Sequence, residues 1–134
     1  MAYWILKTEP ETYSFEKLLK DKQTNWDGVR NYQARNNLKA MKKGDQCMIY
    51  HSVGPKEIVG LAEVSKEAFI DPTDTEKKWI AVEIAPIKKL HKPVTLAQIK
   101  EAAQLEEIAL VKQSRLSVCP VTKAQWDIIL KMAS

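Results

Sequence analysis

Between Gln46 and Leu90 the chain carries three strand-like segments in succession, with no helical pattern between them. They run over Gln46–Ser52, Ile58–Phe69 and Trp79–Leu90, and the third alternates Ile80, Val82 and Ile84 onto one face. Strands joined by short loops pair antiparallel, whereas a parallel pair needs a long crossover, usually a helix. This run therefore excludes the regular strand–helix alternation of a doubly wound fold. Gly54-Pro55 turns the first segment into the second, and Gly60 offers the long second strand a place to bend. The polar stretch 71–78 (DPTDTEKK) reads as a mobile loop.

The flanks supply the helices. Tyr3-Trp4-Ile5-Leu6 opens a strand that ends before Pro10, and Ser14 is placed to cap a short helix through Phe15, Leu18 and Leu19. Residues 24–28 read as a loop with an Asp27-Gly28 turn. A helix follows from Asn31 to Met41, with Ala34, Leu38 and Met41 on one stripe, and Lys42-Lys43-Gly44 reads as its C-terminal stop. Beyond the strands, Pro93 precedes a helix whose Thr95 and Gln98 make a capping-box pattern. Ser114–Cys119 reads as a last strand closed by Pro120. Thr122 and Gln125 make a second capping box, ahead of a helix that can bury Trp126, Ile129 and Leu130 together. The expected class is α+β: a strongly bent, mainly antiparallel sheet or small barrel with peripheral helices. At 134 residues the chain suits one domain over 1–134.

Charge and composition narrow the chemistry. The net charge is +4, mildly basic and compatible with nucleic acid without requiring it. Residues 1–50 hold nine Lys/Arg against six Asp/Glu, residues 51–85 four against seven, and residues 86–134 eight against four. Two basic ends that met in space would make one basic face; scattered solvated charge is the plain alternative. Cys47 and Cys119 sit in apolar runs outside any ligand pattern, so they read as buried thiols in a reducing compartment. No metal or cofactor is expected, because four glycines leave no room for a phosphate-cradling loop and no ligand set stands out. No signal-peptide pattern or membrane-spanning run is visible, so a cytosolic or nucleoid-associated protein is expected.

Four clusters could carry a site. The densest is Trp26–Asn36, which places an aromatic, a tight turn, Arg30, Asn31, Tyr32, Arg35 and Asn36 around a helix start. On that helix Asn31 and Arg35 lie about 40° apart and border the Leu38 stripe. The plain alternative is that Trp26 is core and Asn31 a cap. The second is Tyr50-His51-Ser52, where alternation puts Tyr50 and Ser52 on one face and His51 on the other. Tyr50 and Ser52 suit a planar ligand; His51 reads more readily as a satisfied structural histidine. The third is Ser114–Val118, where Arg115 and Ser117 share a face, and Arg115 could meet a phosphate or form a surface ion pair. The fourth is Lys7-Thr8-Glu9, either cleft chemistry or a surface Lys–Glu pair.

Taken in order, Trp4–Pro10, Trp26–Asn36, Tyr50–Ser52 and Ser114–Val121 resemble the EVE domain family. The second match runs over eleven residues, and together the motifs span nearly the whole chain. Compared with longer members of that family, the 71–78 loop is shorter and no N-terminal extension is seen, so a nuclear-targeting or tail-dependent role is not expected. The resemblance implies a PUA-like β-pseudobarrel that binds nucleic acid without catalysis and accepts a modified base, a modified cytosine in DNA or a base in RNA. By that resemblance Trp26 would stack on the base, with Asn31, Tyr50, Ser52 and Ser117 lining the pocket. Lys7, Arg30, Arg35 and Arg115 would meet phosphate or base-edge atoms, and His51 and Asn36 would support the pocket from behind. A monomer is expected. The competing readings are a hydrolase of modified nucleosides like some ASCH relatives, using Lys7, Thr8 and Glu9, and a protein-interaction module.

Overall fold

A computed structural model describes residues 1–134. Six strands are formed: β1 (Tyr3–Thr8), β2 (Thr24–Trp26), β3 (Gln46–His51), β4 (Glu57–Ile70), β5 (Ile80–Thr95) and β6 (Val118–Val121). Five helices accompany them: α1 (Phe15–Asp21), α2 (Tyr32–Ala40), α3 (Leu96–Glu101), α4 (Ala109–Lys112) and α5 (Lys123–Met132), with a 3-10 turn at Ala103–Leu105. The strands make one sheet in the order β2-β5-β4-β3-β1-β6. The three central segments pair antiparallel, as their direct succession demands. Only β1 and β3 run parallel, and the crossover between them holds α1, β2 and α2.

The fold is the expected α+β, mainly antiparallel sheet, but the sheet stays open, with β2 and β6 as its edges. Its bending comes from β4 and β5, of 14 and 16 residues, whose register slips at four places along their length. One break falls at Ile58/Gly60, where the sheet meets α1. A Cβ at Gly60 would lie 2.3 Å from the Phe15 ring, so the bare backbone lets the helix seat. The apolar faces then close over a core that includes Phe15, Leu18, Leu38, Ile49, Ile84, Val118 and Trp126.

The local chemistry explains most of the helix starts. Ser14 Oγ accepts from Lys17 N, and the Thr95/Gln98 and Thr122/Gln125 capping boxes are both complete. In α5, Trp126 and Ile129 are buried and Leu130 packs at the core's margin.

Several sequence expectations are corrected. Residues 24–26 are not loop but an edge strand on β5, with Trp26 opposite Val82. The third strand does not stop at Leu90: β5 runs on through Pro93 to Thr95, and because beyond Ile84 one side of β5 has no strand partner, the missing N–H costs no ladder bond there. Pro120 likewise lies within the edge strand β6, opposite Trp4, and does not close it. Residues 114–117 are a turn, with Leu116 N donating to Gln113 O, so strand alternation does not set the directions of Arg115 and Ser117. Helix α2 stops at Ala40, and Gly44, at φ +93°, belongs to the following turn, whose N–H donates to Val64 O. The 71–78 loop is pinned by Asp71 and Asp74, which accept from its own backbone. No helix is long and apolar enough to cross a membrane.

Candidate nucleic-acid interface

A cavity of about 380 Å³ opens where the end of β1 faces β2 and the turn after it. Lys7, Thr8 and Ser117 form one wall, and Trp26, Asp27 and Gly28 form the other. Trp26 reaches it because β2 pairs with β5: the backbone is held at Val82, and the ring remains only 8% exposed. The ring meets Tyr13 edge to face, with centroids 6.3 Å apart at 88°. Tyr13 also lines the cavity, and its hydroxyl donates to Asp21 at 2.9 Å.

The opposite wall is stitched by Lys7. Its backbone N–H donates to Ser117 O and its Nζ to Ser114 O, both at 2.9 Å. The 114–117 turn is thereby tied to β1, which brings Ser117 to the cavity. Burial lowers the Lys7 pKa from its ordinary value, since a half-buried ammonium gives up hydration. On the far side, burial raises the Asp27 pKa, and the nearby charge of Asp71 adds to it.

Asp71 organises the rim. Its carboxylate is wholly shielded from water, yet it accepts from Gly28 N at 2.8 Å, Arg30 at 2.9 Å, and both Thr73 N and Thr73 Oγ1 at 2.7 Å. These donors outweigh the cost of burial and hold its pKa at about 2. Asp74 works similarly further along, accepting from the backbone N–H groups of Glu76, Lys78 and Trp79. Two aspartates therefore fold the 71–78 loop, which was expected to be mobile.

Four of the sequence-derived site residues meet at this cavity: Trp26, Lys7, Ser117 and Arg30. Arg30 is there in a different role, because its guanidinium is bound to Asp71, Thr73 and Val29 O and so braces the rim. The others stand elsewhere. Asn31 is the N-cap of α2, its Oδ1 accepting from Ala34 N at 2.9 Å. Tyr50 is packed into the core at 4% exposure, beside Lys7 in the β1–β3 pair. Ser52 Oγ donates to Thr8 O at 3.3 Å. His51 Nε2 accepts from Phe15 N at 3.2 Å, so the histidine is structural, and burial lowers its pKa. Arg115 lies with Asn31 and Gln113 along a separate shallow depression. Asn36 is exposed on α2, Arg35 packs over Tyr32 outside the cavity, and Glu9 is exposed and absent from the lining.

The sequence pattern did not reveal Tyr13, Thr24, Asp27 and Asp71 as parts of the cavity and its rim, whereas Thr8, named with Lys7 and Glu9 as possible cleft chemistry, does line it. Treating 24–26 as strand would have put Thr24 on the same face as Trp26. Nothing in the polar loop distinguishes Asp71 from its neighbours.

The family model of the EVE domain matches residues 2–132. The chain belongs to the EVE domain family. Human thymocyte nuclear protein 1 is 35% identical over 98% of this chain and 73% of its own length. A solution structure of a Rhodopseudomonas palustris protein superposes with a TM-score of 0.94 at 44% identity, covering 99% of this chain and 93% of that one. Human thymocyte nuclear protein 1 in complex with DNA containing 5-methylcytosine superposes with a TM-score of 0.92 at 32% identity, covering 100% of this chain and 98% of that one. A YTH domain from Zygosaccharomyces rouxii shares the fold at a TM-score of 0.63 and 14% identity, which places this EVE domain among PUA-type folds.

Proposed function

We propose that this EVE domain reads a modified base, a modified cytosine in DNA, by taking the flipped nucleotide into the cavity beside Trp26. The observation that carries the reading is the solved complex of a 32% identical relative with DNA containing 5-methylcytosine, aligned over the whole of this chain. The cavity has the chemistry for it. A base needs one aromatic plane and a few fixed polar groups, and here Trp26 stands opposite Lys7, Thr8 and Ser117. The pocket set is therefore Trp26, Tyr13, Asp27 and Ser117, with Lys7 at the wall. Asn31, Tyr50 and Ser52 are left as a helix cap, a core residue and a brace on the β1 backbone.

Magnitudes set the expected selectivity. Stacking on an aromatic ring contributes about 1–3 kcal/mol. One buried methyl adds about 0.8 kcal/mol, so the preference for 5-methylcytosine over cytosine should be severalfold and not absolute. The domain would act by binding alone, as a monomer, in the cytosol or on the nucleoid, and RNA is the alternative polymer.

The test is a titration against matched DNA and RNA oligonucleotides holding cytosine, 5-methylcytosine or 5-hydroxymethylcytosine at one position. Tighter binding of one modified form, lost in Trp26→Ala and partly kept in Trp26→Phe, is expected. Equal affinity for all, unchanged by either variant, overturns the proposal. Turnover of modified nucleosides that vanishes in Lys7→Ala would replace it with the hydrolase reading.

A further inference from the structure

Outside the cavity, on the far side of Arg30, a second cluster gathers two aromatic rings and three cations. Tyr32 and Trp79 pack at a centroid distance of 5.0 Å with their planes 36° apart. Arg35 lies 4.9 Å from the Tyr32 centroid and 5.7 Å from that of Trp79. The Lys78 ammonium sits 5.4 Å and 5.6 Å from the same two rings, and Arg30 is 5.7 Å from Trp79. Tyr32 keeps 53% of its surface exposed, so part of it is accessible to a ligand.

Two of these cations have no direct ion-pair partner in the protein. Of the three cations only Arg30 has an ion-pair partner, Asp71. The two nearest aspartates are already engaged, Asp71 by Arg30, Gly28 and Thr73, and Asp74 by three backbone N–H groups. Glu76 is close enough to influence Lys78 but makes no ion pair with it. Arg35 donates only one long hydrogen bond, 3.3 Å to Lys78 O, and its Nε is shielded from water with no partner. Ring faces offer each cation a modest attraction, about 0.5–1 kcal/mol at an exposed site, weaker than a charge-assisted hydrogen bond to an anion. Arg35 and Lys78 are thus free to form ion pairs with an external anion.

The backbone of Trp79 is tethered on both sides. Trp79 N donates to Asp74 at 2.7 Å, and Trp79 O accepts from Asp71 N at 3.0 Å. Asp71 in turn holds Gly28 on the cavity rim. The platform and the cavity are thus two ends of one hydrogen-bonded framework.

We propose that Tyr32, Trp79, Arg35 and Lys78 form a second nucleic-acid contact. It grips a phosphodiester and stacks a base of the same strand, next to the nucleotide held at the cavity. Phosphate satisfies Arg35 and Lys78, and a base has a π-face for Tyr32 whatever its sequence. The contact supplies affinity and positioning, while the cavity supplies selectivity. It rests on the base-reading proposal only in the premise that the ligand is a polynucleotide.

The experiment measures affinity against salt concentration for DNA and RNA oligonucleotides with and without one 5-methylcytosine. Wild type is compared with Lys78→Gln, Arg35→Gln and Tyr32→Ala, with the exposed Lys131→Gln as a remote control. Each charge removed should lower the slope of log affinity against log salt by about one. Tyr32→Ala should weaken binding by about fivefold or more at every salt concentration. Lys131→Gln should change neither. The ratio of methylated to unmethylated affinity should persist in all variants, because the cavity is untouched. Lys78 and Tyr32 are exposed, so those two variants fold, and unchanged slope and affinity in both overturns the proposal. Salt-dependent binding that the variants weaken but that never discriminates the methyl would sink the base-reading proposal and leave this one standing. Discrimination with unaltered slopes would do the reverse. Capture of an acidic peptide in place of either polymer refutes both.

Discussion

Arg30 and Asp71 meet at 2.9 Å, the guanidinium side chain 39% exposed and the carboxylate fully buried. That asymmetry makes Asp71 the group that cannot be removed. Asp71→Ala would leave Gly28 N without its acceptor and Arg30 without its ion-pair partner, and should cost about 2–4 kcal/mol, read from urea denaturation. The pH dependence follows from its depressed pKa. Unfolded, an Asp titrates near 3.9; folded, Asp71 titrates at about 2. Its stabilisation is therefore complete above pH ~4 and lost as the pH falls towards ~2. Up to about 2 kcal/mol should disappear across that window, less for screening at the half-exposed Arg30. Asp71→Asn should flatten the stability profile there.

His51 sets a second pH step, in a milder range. Its Nε2 accepts from Phe15 N, which requires a neutral ring protonated on the other nitrogen. Burial lowers its pKa from the ordinary 6.5. The stabilisation is full above pH ~6.5 and declines as the pH falls from there through the lower pKa of the folded ring, where protonation breaks the bond. Amide hydrogen exchange at Phe15 and Leu18 should accelerate as the pH is lowered below that value, after correction for intrinsic rates. His51→Gln should abolish the step, and a profile identical to wild type would refute the assignment.

How much of the fold and site was visible in the sequence depended on the range of each interaction. The cap at Ser14 and the two capping boxes were legible because they close within three residues. The antiparallel centre was legible because consecutive strand patterns leave no room for crossovers. The edge strand Thr24–Trp26 was not, since three residues carry too little pattern and only pairing with Val82, Glu83 and Ile84 makes them a strand. Of the candidate site residues, Trp26, Lys7 and Ser117, singled out through their motifs, line the cavity. Asn31 and Tyr50 stood in the same motifs for structural reasons, as a cap and as a core residue. Motif density marks residues that a fold needs as well as residues that a ligand touches. Asp71 is the converse case: its partners Arg30 and Gly28 are 41 and 43 residues away, and no local pattern announces them.

Gly60 and Phe15 are locked by contact. A Cβ on Gly60 would sit 2.3 Å from the ring, whose side chain is itself buried and has little room to give. Gly60→Ala should destabilise by about 1–3 kcal/mol through overpacking. Phe15→Leu alone should also destabilise, by leaving space. Combined, the two should cost less than their sum, because the smaller side chain makes room for the methyl. Strict additivity in chemical denaturation would show that the contact is not the cause.

Asn31 separates the two roles its motif allowed. Its Oδ1 accepts from Ala34 N at 2.9 Å, and it contributes nothing to the walls of the cavity. A cap tolerates any short acceptor, so Asn31→Asp and Asn31→Ser should keep the stability of α2, whereas Asn31→Ala should lose about 1 kcal/mol. A base-contacting amide behaves differently, since its donor and acceptor are both read and neither replacement restores them. The ratio of affinities for methylated and unmethylated oligonucleotides should therefore be the same in Asn31→Ser as in wild type. A collapse of that ratio with α2 still intact by circular dichroism would return Asn31 to the pocket.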